Sequence, residues 1–289
     1  MKREISSCPE AGGGVHRWIM ETAWTLRLEG TRPEEARRIL ASSMTRRPSP
    51  ANEIDTAVAK VFGIALSQRE SWTPFPSAPK WPAPNLEQIE AITASGYGVV
   101  DLWEASPARV KKQVASEVLP TLFPGDPMLC VGNRSLFVTD HLSAFIDRAH
   151  TLEQIVPSPM KAKFGRTQAG KLSQHTLEAT GPRRFLVFEA DMIQGSAMSK
   201  DHQAAILLEL AKVGPLSLVC DSGGKSLHGW FFCAGLTDEA LTPFFRVCCT
   251  LGADPAMWTR SQFARMPGGT RDNGNRQPIY FFNSETIKP

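Results

Sequence analysis

Apolar residues recur at helical spacing in the first part of the chain and at strand spacing in the last third. Over residues 12–66, Val15, Ile19, Ala23 and Leu26 mark one face of a first helix, which follows Gly12-Gly-Gly14 and stops at Gly30. Thr31 is placed to cap a second helix, with Pro33 early, Glu34 and Glu35 in the first turn, and Ala36, Ile39 and Leu40 inward. Ser49 or Asn52 starts a third, carrying Ile54, Val58, Val61 and Phe62. The pattern predicts a small all-α helical bundle over residues 1–70, marginal alone and more secure when docked.

Five prolines fall between Ser71 and Pro84. They predict an extended, semi-rigid linker over 71–84, with Trp72 and Trp81 lying along a surface. The pattern then changes. Helical spacing marks 86–95, 107–119, 142–149, 200–213 and 237–251. Strand patterns mark 128–131, 135–138, 185–191, 216–220, 229–234 and 278–282. Strands outnumber those of a simple βαβ alternation, so residues 85–289 are expected to form an α+β domain with a mixed or antiparallel sheet.

The 289 residues are 42% hydrophobic, enough for a sizeable core, and the net charge is only +3. Nucleic-acid binding would therefore need local basic patches. No apolar run is long enough for a membrane span, and Met1 to Gly14 lacks the apolar stretch of a signal peptide. The six cysteines form no Cys-x-x-Cys pair. They read as reduced core thiols of a cytoplasmic protein, not as a zinc knuckle or a disulfide framework.

Candidate chemistry concentrates after residue 184. Glu189 and Asp191 stand at i and i+2 on an expected strand and so share a face. An isolated Glu-x-Asp is usually a solvated strand face. Here Phe185 to Phe188 is a continuous apolar run, and acids ending a buried strand are costly unless paired or metal-bound. Their hard oxygens suit Mg²⁺ or Mn²⁺.

Downstream lies Asp221-Ser-Gly-Gly-Lys-Ser-Leu-His-Gly-Trp230, between two expected strands. It is not a P-loop, because Val219 stands where that pattern needs glycine and the next element reads as a strand. Either it is a plain hairpin turn, or Gly223, Gly224, Lys225 and Ser226 form a phosphate-binding concavity. His228 would share the face of Ser226, where it either donates to a phosphate oxygen or, as a lone strand histidine more often does, serves as a satisfied structural residue. Asp254 reads either as a third metal ligand or as a turn residue before Pro255. Arg260, Arg265, Arg271 and Arg276 bring cations to one segment. With Trp258 and Phe263 they suggest a phosphate-tracking surface with stacking platforms, or else a solvated basic loop.

Together these residues resemble the archaeo-eukaryotic primase superfamily, in its plasmid and phage branch of primase-polymerases. Glu189 and Asp191 match its acidic strand motif, and Ser226-Leu-His228 its small-x-His motif. Arg265-Met-Pro-Gly268, followed by Arg271 and Gln277, matches its Arg-x-Pro-Gly segment. The matching motifs span residues 183–283.

The resemblance implies an RRM-like sheet as catalytic core and two-metal synthesis of primers on a single-stranded DNA template from NTPs or dNTPs. Glu189, Asp191 and Asp254 would hold Mg²⁺ or Mn²⁺, with Asp221 or Asp272 as fallback for the third acid. Gly223, Gly224, Lys225, Ser226, His228 and Arg265 would hold the nucleotide. Arg260, Arg265, Arg271 and Arg276 would track nucleic acid, and a separate replicative helicase is an implied partner. Two other readings stay open. One is a non-catalytic single-strand-binding replication protein of a mobile element. The other is a metal-dependent nucleotide or phosphodiester hydrolase.

Overall fold

The computed structural model describes residues 7–9, 14–45, 48, 52–63, 79–109, 114–133, 136–167, 170–193 and 195–287. Gly12, Gly13, Arg46, Arg47, Ser49 and most of the expected linker, including Trp72, lie outside them. The chain divides into two compact units, residues 1–79 with 168–170, and residues 80–167 with 171–289.

The first unit holds three helices, α1 (Val15–Leu28), α2 (Pro33–Ser43) and α3 (Glu53–Phe62). They bury one shared cluster containing Trp18, Ile19, Leu26, Leu40, Ile54 and Val58. Gly30, at φ +78°, ends the first helix as expected. The second is capped by Arg32 rather than Thr31. Arg32 offers no side-chain cap, and Pro33 takes the first helical position.

The second unit is mixed α+β with antiparallel sheets. It opens with α4 (Leu86–Thr93), α5 (Val99–Glu104) and α6 (Ala115–Leu122). Strands β1 (Met128–Asn133), β2 (Leu136–His141) and β3 (Gln154–Ile155) follow, then a two-residue ribbon of β4 (Gly165–Arg166) and β5 (Leu172–Ser173). Next come β6 (Phe185–Glu189), a second short ribbon of β7 (Met192–Ile193) and β8 (Ser196–Ala197), α7 (Lys200–Ala211), β9 (Leu216–Asp221) and β10 (Leu227–Phe232). The unit ends with α8 (Asp238–Thr250), β11 (Ala264–Arg265) and β12 (Ile279–Phe282).

Two four-stranded sheets result, ordered β11-β3-β1-β2 and β12-β9-β10-β6. The expected helix at 142–149 is instead two short 3₁₀ segments. The helix expected at 107–119 runs later, over α6, and the turn before it was not anticipated.

Apolar burial explains the second sheet. Phe185, Leu186, Val187 and Phe188 are each 1% exposed, and every residue of β9 is buried. A strand buried on both faces reads as a continuous apolar run, which is why β6 shows no alternation. Trp230 and Phe123 pack edge-on to Phe185. Trp81, from the expected linker, packs against Phe245 and Trp258. All six cysteines are unpaired and buried. Among the described residues, no helix is long and apolar enough to cross a membrane.

Helix α7 lies on the sheet at Gly229, where a Cβ would collide with the Leu207 side chain. Gly229→Ala is therefore expected to destabilise the protein by about 1–3 kcal/mol, because overpacking forces a side chain off its rotamer or moves the backbone. Urea denaturation would check this; an unchanged midpoint would contradict it.

Candidate active site

The acid pair sits where β6 ends. Glu189 closes the strand and is paired across the ladder with His228 of β10. Opposed residues of an antiparallel pair put their side chains on one face, and here they meet. His228 Nε2 lies 3.2 Å from Glu189 Oε1, and the Ser226 hydroxyl donates to the same oxygen at 2.8 Å. On the other side of the ring, the Arg265 backbone N–H points to His228 Nδ1 at 3.5 Å. The approach of Nε2 to Glu189 lacks hydrogen-bond alignment and is a close electrostatic contact.

This pairing governs ionisation. Burial pushes the Glu189 carboxyl up, but His228, Ser226 and Arg265 outweigh it and bring its pKa down to about 2. Glu189 is therefore a half-buried carboxylate held ionised, and its Oε1 is already engaged.

Ser226 and His228 are 3% and 2% exposed. Neither side chain lies on an open surface. Both are turned inward onto the carboxylate and act as positioning residues in this geometry.

The loop after β9 is held from several sides. Asp221 Oδ1 accepts the Gly223 N–H at 2.8 Å, and Ser222 Oγ accepts the Ser226 N–H at 3.0 Å. Buried Gln203 of α7 donates to the Lys225 carbonyl and accepts from the Leu227 N–H. Asn275 donates to the Gly223 carbonyl at 2.8 Å. Gly223 adopts φ +67°, which favours glycine, and a Cβ on Gly224 would stand 2.7 Å from an Arg271 guanidinium nitrogen. The two glycines thus admit the 271–276 segment against the loop, leaving Gly224 and Lys225 exposed. A preordered loop with outward lysine and a neighbouring guanidinium suits an anion.

The other cations divide. Arg265 and Arg271 both turn to Glu153, a 3% exposed acid at the start of β3. Arg265 Nη1 is hydrogen-bonded to its Oε1, and Arg271 Nε lies 3.4 Å from the same oxygen without hydrogen-bond alignment. Arg265 is thus shared between two acids, hydrogen-bonded to Glu153 and helping to lower the Glu189 pKa. Arg276 is exposed beside the loop, its carbonyl packed on Gly223.

Arg260 stands apart from these three. Its charge acts on Arg183, whose guanidinium stacks on Trp258 at 4.7 Å. Trp258 is packed between Trp81 and Phe245, and Phe263 stacks on His175 at 4.0 Å. Neither ring is the open stacking platform that its neighbours in sequence suggest.

Asp254 is brought to the strand end by its backbone, whose N–H donates to the Glu189 carbonyl at 2.8 Å. Its Oδ1 caps the 3₁₀ turn Pro255–Trp258 by accepting the Ala256 N–H. Of the fallback acids, Asp221 is engaged by Lys200 at 2.6 Å and Tyr280 at 3.2 Å, and Asp272 is exposed. Asp191 is half-buried next to the node.

Among the described residues, no three His, Cys, Asp or Glu side chains converge on one metal-holding point. That leaves an all-oxygen pair, Glu189 and Asp191, at a strand end. Such a pair fits Mg²⁺, which is commonly held by one or two carboxylates plus water and substrate phosphate rather than by a protein cage.

Sequence reasoning missed Glu153 and Gln203. Glu153 lies 112 residues from Arg265, and nothing local marks either residue as a partner of the site.

The sign of the pH effect follows from the carboxyl's position. Between its ordinary value of 4.5 and about 2, the folded protein keeps Glu189 ionised while the unfolded chain protonates it. Its stabilisation is complete above that window and is lost as pH falls through it. In metal-free buffer, Glu189→Gln should flatten the acid limb of stability over this range, measured by thermal melts. A variant curve parallel to wild type would contradict the assignment. In comparisons with known proteins, no family model, no curated protein and no solved structure matches this chain.

Proposed function

We propose that the protein is a DNA-templated nucleotidyltransferase, a primase or primase-polymerase that builds primers on single-stranded DNA from NTPs or dNTPs. The observation that carries this reading is the ionised Glu189 at the end of β6. It is held by Ser226 and His228, stands next to Asp191, and is joined through Ser226 to a preordered Gly-Gly-Lys loop.

The surrounding element order supports the same reading. Setting aside the short ribbon β7–β8 and the two-residue β11, the elements that build or cover this sheet follow one another as β-α-β-β-α-β, the chain order of an RRM-like module. The strand order departs from that module: β12 borders β9 and leaves β6 at the edge, whereas an RRM-like sheet seats its last strand beside its first.

In this proposal Glu189 and Asp191 hold Mg²⁺ or Mn²⁺, and Asp254, tied to the same strand end, completes the acidic side. When bound, the metal would neutralise triphosphate charge and raise the acidity of a primer 3′ hydroxyl. Ser226 and His228 keep Glu189 charged and fixed in orientation. Lys225 and Arg271 meet phosphate oxygens at the loop, and Arg265 helps to hold Glu189 ionised. Arg276 follows the strand.

A second reading has its own support. No third carboxylate converges with Glu189 and Asp191 among the described residues. A non-catalytic single-strand-binding protein with this fold would look the same. It predicts salt-dependent DNA binding unaffected by chelator or by Asp191→Ala.

The deciding assay uses unprimed single-stranded DNA, Mn²⁺ and labelled NTPs and dNTPs. Wild type should make short products, and Asp191→Ala should make none. Ser226→Ala should retain activity lowered about 10–100-fold, the usual loss when a partner orienting a metal-binding carboxylate is removed. Intact DNA binding with no product from wild type under any template or metal would overturn the catalytic reading.

A further inference from the structure

Next to the 276–280 segment, whose Arg276 packs on the Gly-rich loop, lies a cavity of about 360 Å³. Its lining is unusual in composition. Trp103 and Tyr280 contribute rings, Arg109, His150 and Arg276 contribute basic side chains, and no residue lining it is Asp or Glu. Trp103 is 44% exposed, so a ring face is open to solvent. The Tyr280 hydroxyl is tied to Asp221 at 3.2 Å, which fixes its ring. Arg109 leans on the Glu104 carbonyl.

Gln277 also lines the cavity. It is fully buried, and its Oε1 has no hydrogen-bond partner in the protein, although its Nε2 donates to the Ser222 carbonyl. A buried acceptor without a donor is costly.

We infer that this cavity is a binding site for one nucleoside monophosphate unit. Open aromatic surface suits the base, because stacking on aromatic side chains is tolerant of base identity. The two guanidiniums and the imidazole suit a phosphate, with the bidentate geometry that arginine offers. The unit comes either from a free nucleotide or from one position of a single strand, and both share this chemistry.

The inference does not depend on the catalytic reading, since it concerns binding without metal. It also gives Arg276 a location. Its carbonyl packs on Gly223 while the residue lines the cavity, so Arg276 borders both the loop and the cavity.

The test is equilibrium binding in EDTA, with AMP and dAMP in one arm and a fluorescently labelled oligo-dT in the other. Full-length wild type is compared with Trp103→Ala and with the double variant Arg109→Glu/Arg276→Glu. All three altered residues are exposed or partly so, and thermal melts check that the variants fold.

At least a ten-fold loss of binding in both variants is expected, in whichever arm the wild type binds. Loss in the mononucleotide arm assigns a free-nucleotide site, and loss confined to the oligonucleotide arm assigns a strand position. In parallel, an oligonucleotide carrying 5-iododeoxyuridine is photo-crosslinked and mapped by mass spectrometry, with Trp103 or Tyr280 as the expected adduct. Wild type that binds neither probe, variants that bind as wild type does, or adducts confined to other residues would each overturn the inference.

Discussion

A charged carboxylate at the end of an apolar strand is the constraint around which the second unit is arranged. Glu189 follows four residues that are each 1% exposed. An ion taken from water at such a position costs several kcal/mol unless partners replace the lost hydration. Three separate pieces of chain supply them: Ser226 from the loop, His228 from β10 and Arg265 from β11. The carboxylate is therefore satisfied only when the β6–β10 register is correct and β11 has arrived. A shift by one residue would turn His228 to the opposite face and leave Glu189 alone.

Arg265 links this acid to a second one. Its backbone meets His228, its guanidinium meets buried Glu153, and its carbonyl lies 3.9 Å from the Cys220 thiol. The residue belongs to one sheet by its strand pairing with Gln154 and touches the other through these contacts. The seam between the sheets is thus polar at this point and apolar around it. Truncating Arg265 would strip buried Glu153 and half-buried Glu189 of a partner at once, so its effect would not add simply to that of Ser226 or His228.

Much of this was legible in the chain because it is written locally. The apolar run Phe185–Phe188, the turn at Gly223-Gly224 and the cap at Thr237 with Asp238 and Glu239 each announce an element within a few residues. The acid pair and Ser226-x-His228 were legible as a site by their spacing. What escaped is non-local. Strands β3 and β11 are two residues long and exist only because they pair with each other, with β1 completing the ladder. Glu153 reads as an ordinary acid after a helix-like stretch, and only the fold brings Arg265 and Arg271 to it. The inward turn of His228 escaped for a related reason. Strand alternation tells which residues share a face, but not which face the rest of the chain covers.

The pairing of β9 sets an order on biosynthesis. Its inner neighbour, β10, follows it directly, so that hairpin and its partner β6 can assemble once residue 232 has left the ribosome. Its other neighbour is β12, residues 279–282, and the Gly-rich loop is likewise braced by Asn275 and Gln277. Until those residues emerge, a strand that is buried along its whole length in the finished fold presents an open edge, a ready template for pairing with other chains. The nascent protein would carry its acids already in place while that edge stays bare, and this interval is when a chaperone would have the most to shield.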